Sequence, residues 1–119
     1  MRLIVAIFVS TVAVAPAMAA GNATDGQRDF SRCAACHSVQ PGKEGIGPSL
    51  TGIAGRQSGT EAGYHYSPAM TSAHVTWNDA NLDRFLNNPQ SLVHGTKMFV
   101  SVPDAHQRQD IIAYLDTLK

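Results

Sequence analysis

The sequence predicts an all-α domain of three to five short helices joined by long loops. Three observations predict it. The C-terminal residues Ile111, Ile112, Leu115 and Leu118 repeat at helical spacing. Good helix caps stand before the other apolar runs. No segment shows the two-residue alternation of a half-buried strand.

The first helix is expected over about Asp25–Ala35. Asn22 or Thr24 can cap it, and Asp25 suits the positive end of a helix. Phe30, Cys33 and Ala34 fall on one face. A long stretch follows, Ser38–Thr76, holding seven of the ten glycines. So much irregular chain is unusual inside a compact domain. Its tyrosines (Tyr64, Tyr66) and scattered apolar residues (Ile46, Leu50, Ile53) suit a segment wrapped around something other than protein. The next helix starts at the cap Asn78, buries Leu82, Phe85 and Leu86, and stops near Asn88 because Pro89 follows. A second loop spans Gln90–Val102. The last helix begins near Pro103–Asp104, with Asp110, Asp116 and Lys119 outside its apolar stripe.

The first twenty residues, MRLIVAIFVSTVAVAPAMAA, combine one positive charge, a short apolar run, a proline and small residues. This is the pattern of a secretory signal peptide over residues 1–19, cleaved after Ala19, with Ala20 the other candidate. The apolar run falls short of the roughly 20 residues a membrane-spanning helix needs. Export then predicts a periplasmic protein. Residues 20–119 make one domain, with a thin core, since a chain of this size buries only about 60–70% of its unfolded surface.

Nine basic residues balance nine acidic ones, and losing Arg2 with the signal leaves eight against nine, a net of −1. With no Lys/Arg run, nucleic acid is excluded as a partner.

The run CAACH, Cys33 to His37, contains the only two cysteines. A disulfide between them would close a tiny loop and stabilise little. Cys-x-x-Cys-His is the attachment signature of c-type haem. Each residue type has its reason: two thiols add to the haem vinyl groups as thioethers, and the tether leaves His37 under the iron, where a neutral ring nitrogen can bind. A thioredoxin-like redox pair would need alternating strands and helices, which are missing. A zinc site would need two further ligands among His65, His74, His94 and His106, and none has the spacing of a ligand pair. Haem also answers the thin core, because the ring supplies an apolar body for the glycine-rich loops to enclose. On residues alone the second iron ligand stays open among Met70, Met98 and the four other histidines. Met98 stands out for lying in a glycine-containing loop, in HGTKMF.

The chain resembles class I cytochrome c, the monohaem family of bacterial periplasms and mitochondria. The matching pieces are FSRCAACHSV, GIGPSLTGIAGR, GYHYSPAM, VTW, LDRFLNNP, GTKMF and DIIAYL, in family order over almost all of residues 20–119. The resemblance implies the cytochrome c fold, a monomer in which the first and last helices cross, with Phe30 and the Ile111–Leu115 stripe in contact. It implies His37 and Met98 as iron ligands, and Pro48 as acceptor for the ligand histidine's N–H, which fixes the tautomer. Arg56, Tyr66 and Trp77 match donors to the haem propionates, and Thr96 joins them. Three departures stand out. Phe85 replaces a frequent tyrosine and Met70 a frequent asparagine, so the iron environment should be drier. The segment after Met98 is one residue short, leaving open whether Phe99 or Val100 walls the haem edge.

The implied function is that of a soluble one-electron carrier, not an enzyme, since an iron with both axial positions filled offers no place for substrate or gas. The implied partners are a quinol–cytochrome c reductase, and a terminal oxidase, photosynthetic reaction centre or other periplasmic redox protein. The alternatives are an electron-entry subunit of a larger complex, and a haem peroxidase or gas-binding protein with an open iron. Three lysines remain (Lys43, Lys97, Lys119), with Arg28, Arg32, Arg56, Arg84 and Arg108. So sparse a set predicts weak electrostatic steering toward partners.

Overall fold

The computed structural model describes residues 20–119; the expected signal peptide, residues 1–19, lies outside them. The described residues hold five α-helices: α1 (Ala23–Asp29), α2 (Pro68–Ser72), α3 (Asp79–Asn87), α4 (Pro89–Leu92) and α5 (Ala105–Asp116). A 3₁₀ turn, Phe30–Arg32, extends α1. Among the described residues there is no strand, only an isolated antiparallel bridge between Gln57 and Thr76. The all-α expectation holds.

Each helix begins at a side-chain cap. Asn22 accepts from the backbone N–H groups of Thr24 and Asp25, which settles the choice between Asn22 and Thr24. Ser67 caps α2, Asn78 caps α3, Asn88 caps α4 and Asp104 caps α5, each accepting an orphan N–H of the first turn. Pro68 and Pro89 occupy first-turn positions where a missing N–H costs nothing. Asn88 is extended (φ −155°), as a residue before proline must be, and this ends α3.

Two expectations about boundaries are corrected. The first α-helix stops at Asp29, not Ala35; tighter turns carry the chain on, with the N–H of Cys36 and of His37 both donating to the Cys33 carbonyl (3.1 and 2.9 Å). The stretches expected to be irregular contain α2 and α4, helices too short to show a periodic stripe.

Helices α1 and α5 cross, and the crossing fixes the floor on which the site is built. Gly26 is buried against α5: a Cβ there would overlap the backbone carbonyl of Asp110, so any side chain would force the helices apart. The backbone N–H of Asn22 donates to the Asp110 carboxylate at 2.7 Å. Phe30 packs edge-on against Tyr114, ring centroids 5.4 Å apart, and joins Ile111 and Leu115 in the core. The expected crossing contact is present.

Helix α3 docks on α5 through Leu82, Phe85 and Leu86. Arg108 of α5 is 9% exposed and clamps this junction. Its Nε donates to Asp83 (2.7 Å), and its Nη1 donates to the carbonyls of Pro103 and Val102 (2.8 and 3.0 Å) and to Asn87 (3.3 Å). The long loop is zipped onto itself by the bridge region, where Trp77 N–H donates to the Arg56 carbonyl and Gly55 N–H to the Trp77 carbonyl, both at 2.8 Å.

Candidate haem site

The helices and loops leave an apolar cavity of about 420 Å³, within the usual size of cofactor sites. Cys33, Cys36 and His37 line it from the turn after α1, Met98 from the loop before α5, and Met70 from α2. Phe30, Ile111 and Leu82 form part of its floor. Neither cysteine forms a disulfide, and both are half-buried. Burial pushes the Cys33 thiol above its ordinary pKa, against a smaller opposing pull from the Arg32 charge.

His37 is positioned by the segment Gly45–Pro48. Its Nδ1 lies 2.8 Å from the Pro48 carbonyl oxygen. A carbonyl only accepts, so Nδ1 carries the proton and Nε2 keeps its lone pair. Burial holds the His37 pKa below the usual imidazole range, a shift only partly opposed by that hydrogen bond. The ring is therefore neutral and ready to act as a ligand. Gly47 makes the close approach possible: a Cβ there would lie 2.7 Å from Nδ1, and its N–H donates to the Cys36 carbonyl at 2.8 Å.

Tyr66, Trp77 and Thr96 also line the cavity. The Tyr66 hydroxyl accepts from the Glu61 N–H (3.0 Å), leaving its own proton for another acceptor. Burial raises its pKa, keeping the phenol protonated. Thr96 is buried, and its Oγ1 accepts from the Met98 N–H (3.3 Å). Trp77 is buried against Phe85, ring centroids 4.9 Å apart. The phenylalanine at 85 thus packs against an indole.

Arg56 is not part of the cavity lining; it sits behind the wall. Its Nη1 pairs with Glu61 (2.8 Å) and donates to the Thr51 carbonyl (3.1 Å), while Nε and Nη2 are buried with no partner among the described residues. Orphaned guanidinium nitrogens suit the carboxylate of a group not made of protein. Glu61 went unnoticed in the sequence, where a lone acid in a glycine-rich loop gives no signal.

Of the candidates for a second iron ligand, only Met70 and Met98 reach the cavity; His65, His74, His94 and His106 do not line it. Among the described residues no three His, Cys, Asp or Glu side chains cluster as a metal site. At the cavity mouth stand Ile46 and Phe99, both 79% exposed, and Val100, 56% exposed. Both candidates for the edge wall are therefore there.

The model of the family described as cytochrome c matches residues 23–119. The chain belongs to the cytochrome c family. It is 42% identical to cytochrome c2 of Rhodomicrobium vannielii over 105 residues, spanning 87% of this chain and 84% of that relative. It is 48% identical to cytochrome c of Euglena viridis over 101 residues, spanning 83% of this chain and 99% of the relative. Among solved structures, cytochrome cH from Methylobacterium extorquens superposes with a TM-score of 0.77 at 40% identity, covering 82% of this chain and 99% of that one. As a cytochrome c, the protein carries haem c covalently and works in electron transfer. The residues fit that cofactor: two cysteines outside any disulfide, an imidazole with a free Nε2 and a thioether share one apolar cavity, and unpartnered arginine nitrogens lie behind it.

Proposed function

We propose that this chain is a periplasmic one-electron carrier, exported by residues 1–19, whose haem iron is ligated by His37 and Met98. Haem c bound here supplies a one-electron couple between ferrous and ferric iron. Everything else is the work of the chain. Cys33 and Cys36 tether the ring. His37 presents Nε2, oriented by the Pro48 carbonyl. Met98 supplies a sulfur that favours the ferrous state and raises the potential. Tyr66, Trp77 and Thr96 donate toward the propionate side, and Arg56 contributes its charge there from behind the wall.

The observation that carries this reading is the convergence of Cys33, Cys36, His37 and Met98 on one apolar cavity. Met98 is favoured over Met70 by its setting. Met70 lies on α2 as a buried member of the core cluster, while Met98 sits half-buried on a loop, packed against that cluster but not part of it. With His37 and Met98 both holding the iron, no place would be left on it for a substrate, and the protein would act as a carrier and not as an enzyme.

Electrons then cross at the mouth, where Ile46, Phe99 and Val100 offer an apolar rim for small, transient contacts. A quinol–cytochrome c reductase as donor fits this reading, with a terminal oxidase, a photosynthetic reaction centre or another periplasmic redox protein as acceptor. The test is Met98→Ala. The haem should stay attached, the reduction potential should fall sharply, and added ligands should bind the iron. An unchanged potential removes Met98 from its role.

A further inference from the structure

The side chain of Gln90, on the short helix α4, uses both ends of its amide on the loop that carries Met98. Its Nε2 donates to the backbone carbonyls of Thr96 (2.8 Å) and Met98 (3.2 Å), and its Oε1 accepts from the backbone N–H of Gly95 (3.2 Å). Three backbone groups within four residues are thus held by one half-buried side chain. The same loop is held from another direction by Lys97, whose Nζ donates to the His65 carbonyl and lies 5.6 Å over the Tyr64 ring. Inside the loop, the Thr96 hydroxyl accepts from the Met98 N–H.

We infer that Gln90 is a positioning residue that keeps the Met98 sulfur at the iron by bracing the backbone of residues 95–98. This rests on the reading of Met98 as an iron ligand. An amide is the one side chain of this length that both donates twice and accepts. A glutamate at 90 would keep an acceptor for Gly95, lose both donors and turn a carboxylate toward two carbonyl oxygens. A loop without its brace samples conformations with the sulfur withdrawn, and an outside ligand then meets a weaker competitor.

The experiment uses the haem-loaded ferric protein, imidazole as the competing ligand, and the weak far-red sulfur-to-iron band as the report on Met98. Gln90→Ala and Gln90→Glu should both keep that band without imidazole, and should both bind imidazole about tenfold more tightly than the parent, the size expected for losing side-chain hydrogen bonds to a loop. Asn22→Ala removes the α1 cap, touches nothing in residues 95–98 and should leave imidazole affinity unchanged. A parent protein lacking the band overturns the Met98 reading and this inference with it. A parent with the band, and Gln90 variants with unchanged imidazole affinity, overturn the role of Gln90 alone. An equal gain of affinity in Asn22→Ala also overturns it, because general loss of stability would then account for the effect.

Discussion

The Nδ1 of His37 lies 2.8 Å from the carbonyl oxygen of Pro48, and the backbone of Gly47 presses so closely on the same ring that no Cβ fits between them. One segment therefore sets the tautomer of the imidazole through an acceptor and its orientation through contact. Gly47 is required here for its missing side chain alone, since its backbone is not in the left-handed region. Gly47→Ala should push the imidazole away from its position. The expected cost is about 2 kcal/mol, typical of overpacking, or a fall of about 10 °C in melting temperature for a domain of this size. Thermal unfolding of the purified haem protein measures it, and an unchanged melting temperature contradicts the proposed contact.

Arg108 should prove a packing residue. Arg108→Met leaves the carbonyls of Val102 and Pro103 and the Asp83 carboxylate without their donor. Removing one partner from such a buried set costs roughly 3 kcal/mol. Arg108→Lys should recover little, because one ammonium cannot span acceptors that a planar guanidinium reaches together. Denaturant unfolding measures both, and the far-red band should persist in each variant.

The charged surface available to partners is smaller than the sequence suggests. Arg108 is buried in its clamp and Arg56 behind the cavity wall, so neither steers a partner. Arg28 is paired with Asp25, and the Lys97 ammonium is turned to the His65 carbonyl. Arg28, Arg32, Lys43, Arg84, Lys97 and Lys119 are exposed, and of these Arg28 is offset by its acidic partner. The electron-transfer rate with a redox partner should therefore change less than about tenfold as added salt shortens the Debye length from roughly 30 to 8 Å. Stopped-flow kinetics across that range test this; a steeper fall contradicts it.

What could be read from the sequence follows from which forces act locally. Helices α3 and α5 were legible because their apolar residues recur at helical spacing and Asn78 and Asp104 cap them. The haem motif was legible because its residues are adjacent in the chain. Helices α2 and α4 were missed because four or five residues show no period; the pairs Ser67–Pro68 and Asn88–Pro89, each a cap followed by proline, were the available signal. The end of α1 was overrun because Phe30, Cys33 and Ala34 keep helical spacing while the backbone tightens. Arg108, Glu61 and Gln90 read as ordinary surface residues. Their partners lie elsewhere in the fold or on the backbone, and neither composition nor period reports such pairings.

The central claim is that side chains fill both axial positions of the iron. Adding carbon monoxide to the reduced haem protein at neutral pH, and recording the visible spectrum, tests it most directly. The ligation by His37 and Met98 predicts an unchanged spectrum for the parent and a carbon monoxide-bound spectrum for Met98→Ala. Ready binding by the parent would contradict it and favour an open-iron peroxidase or gas-binding protein.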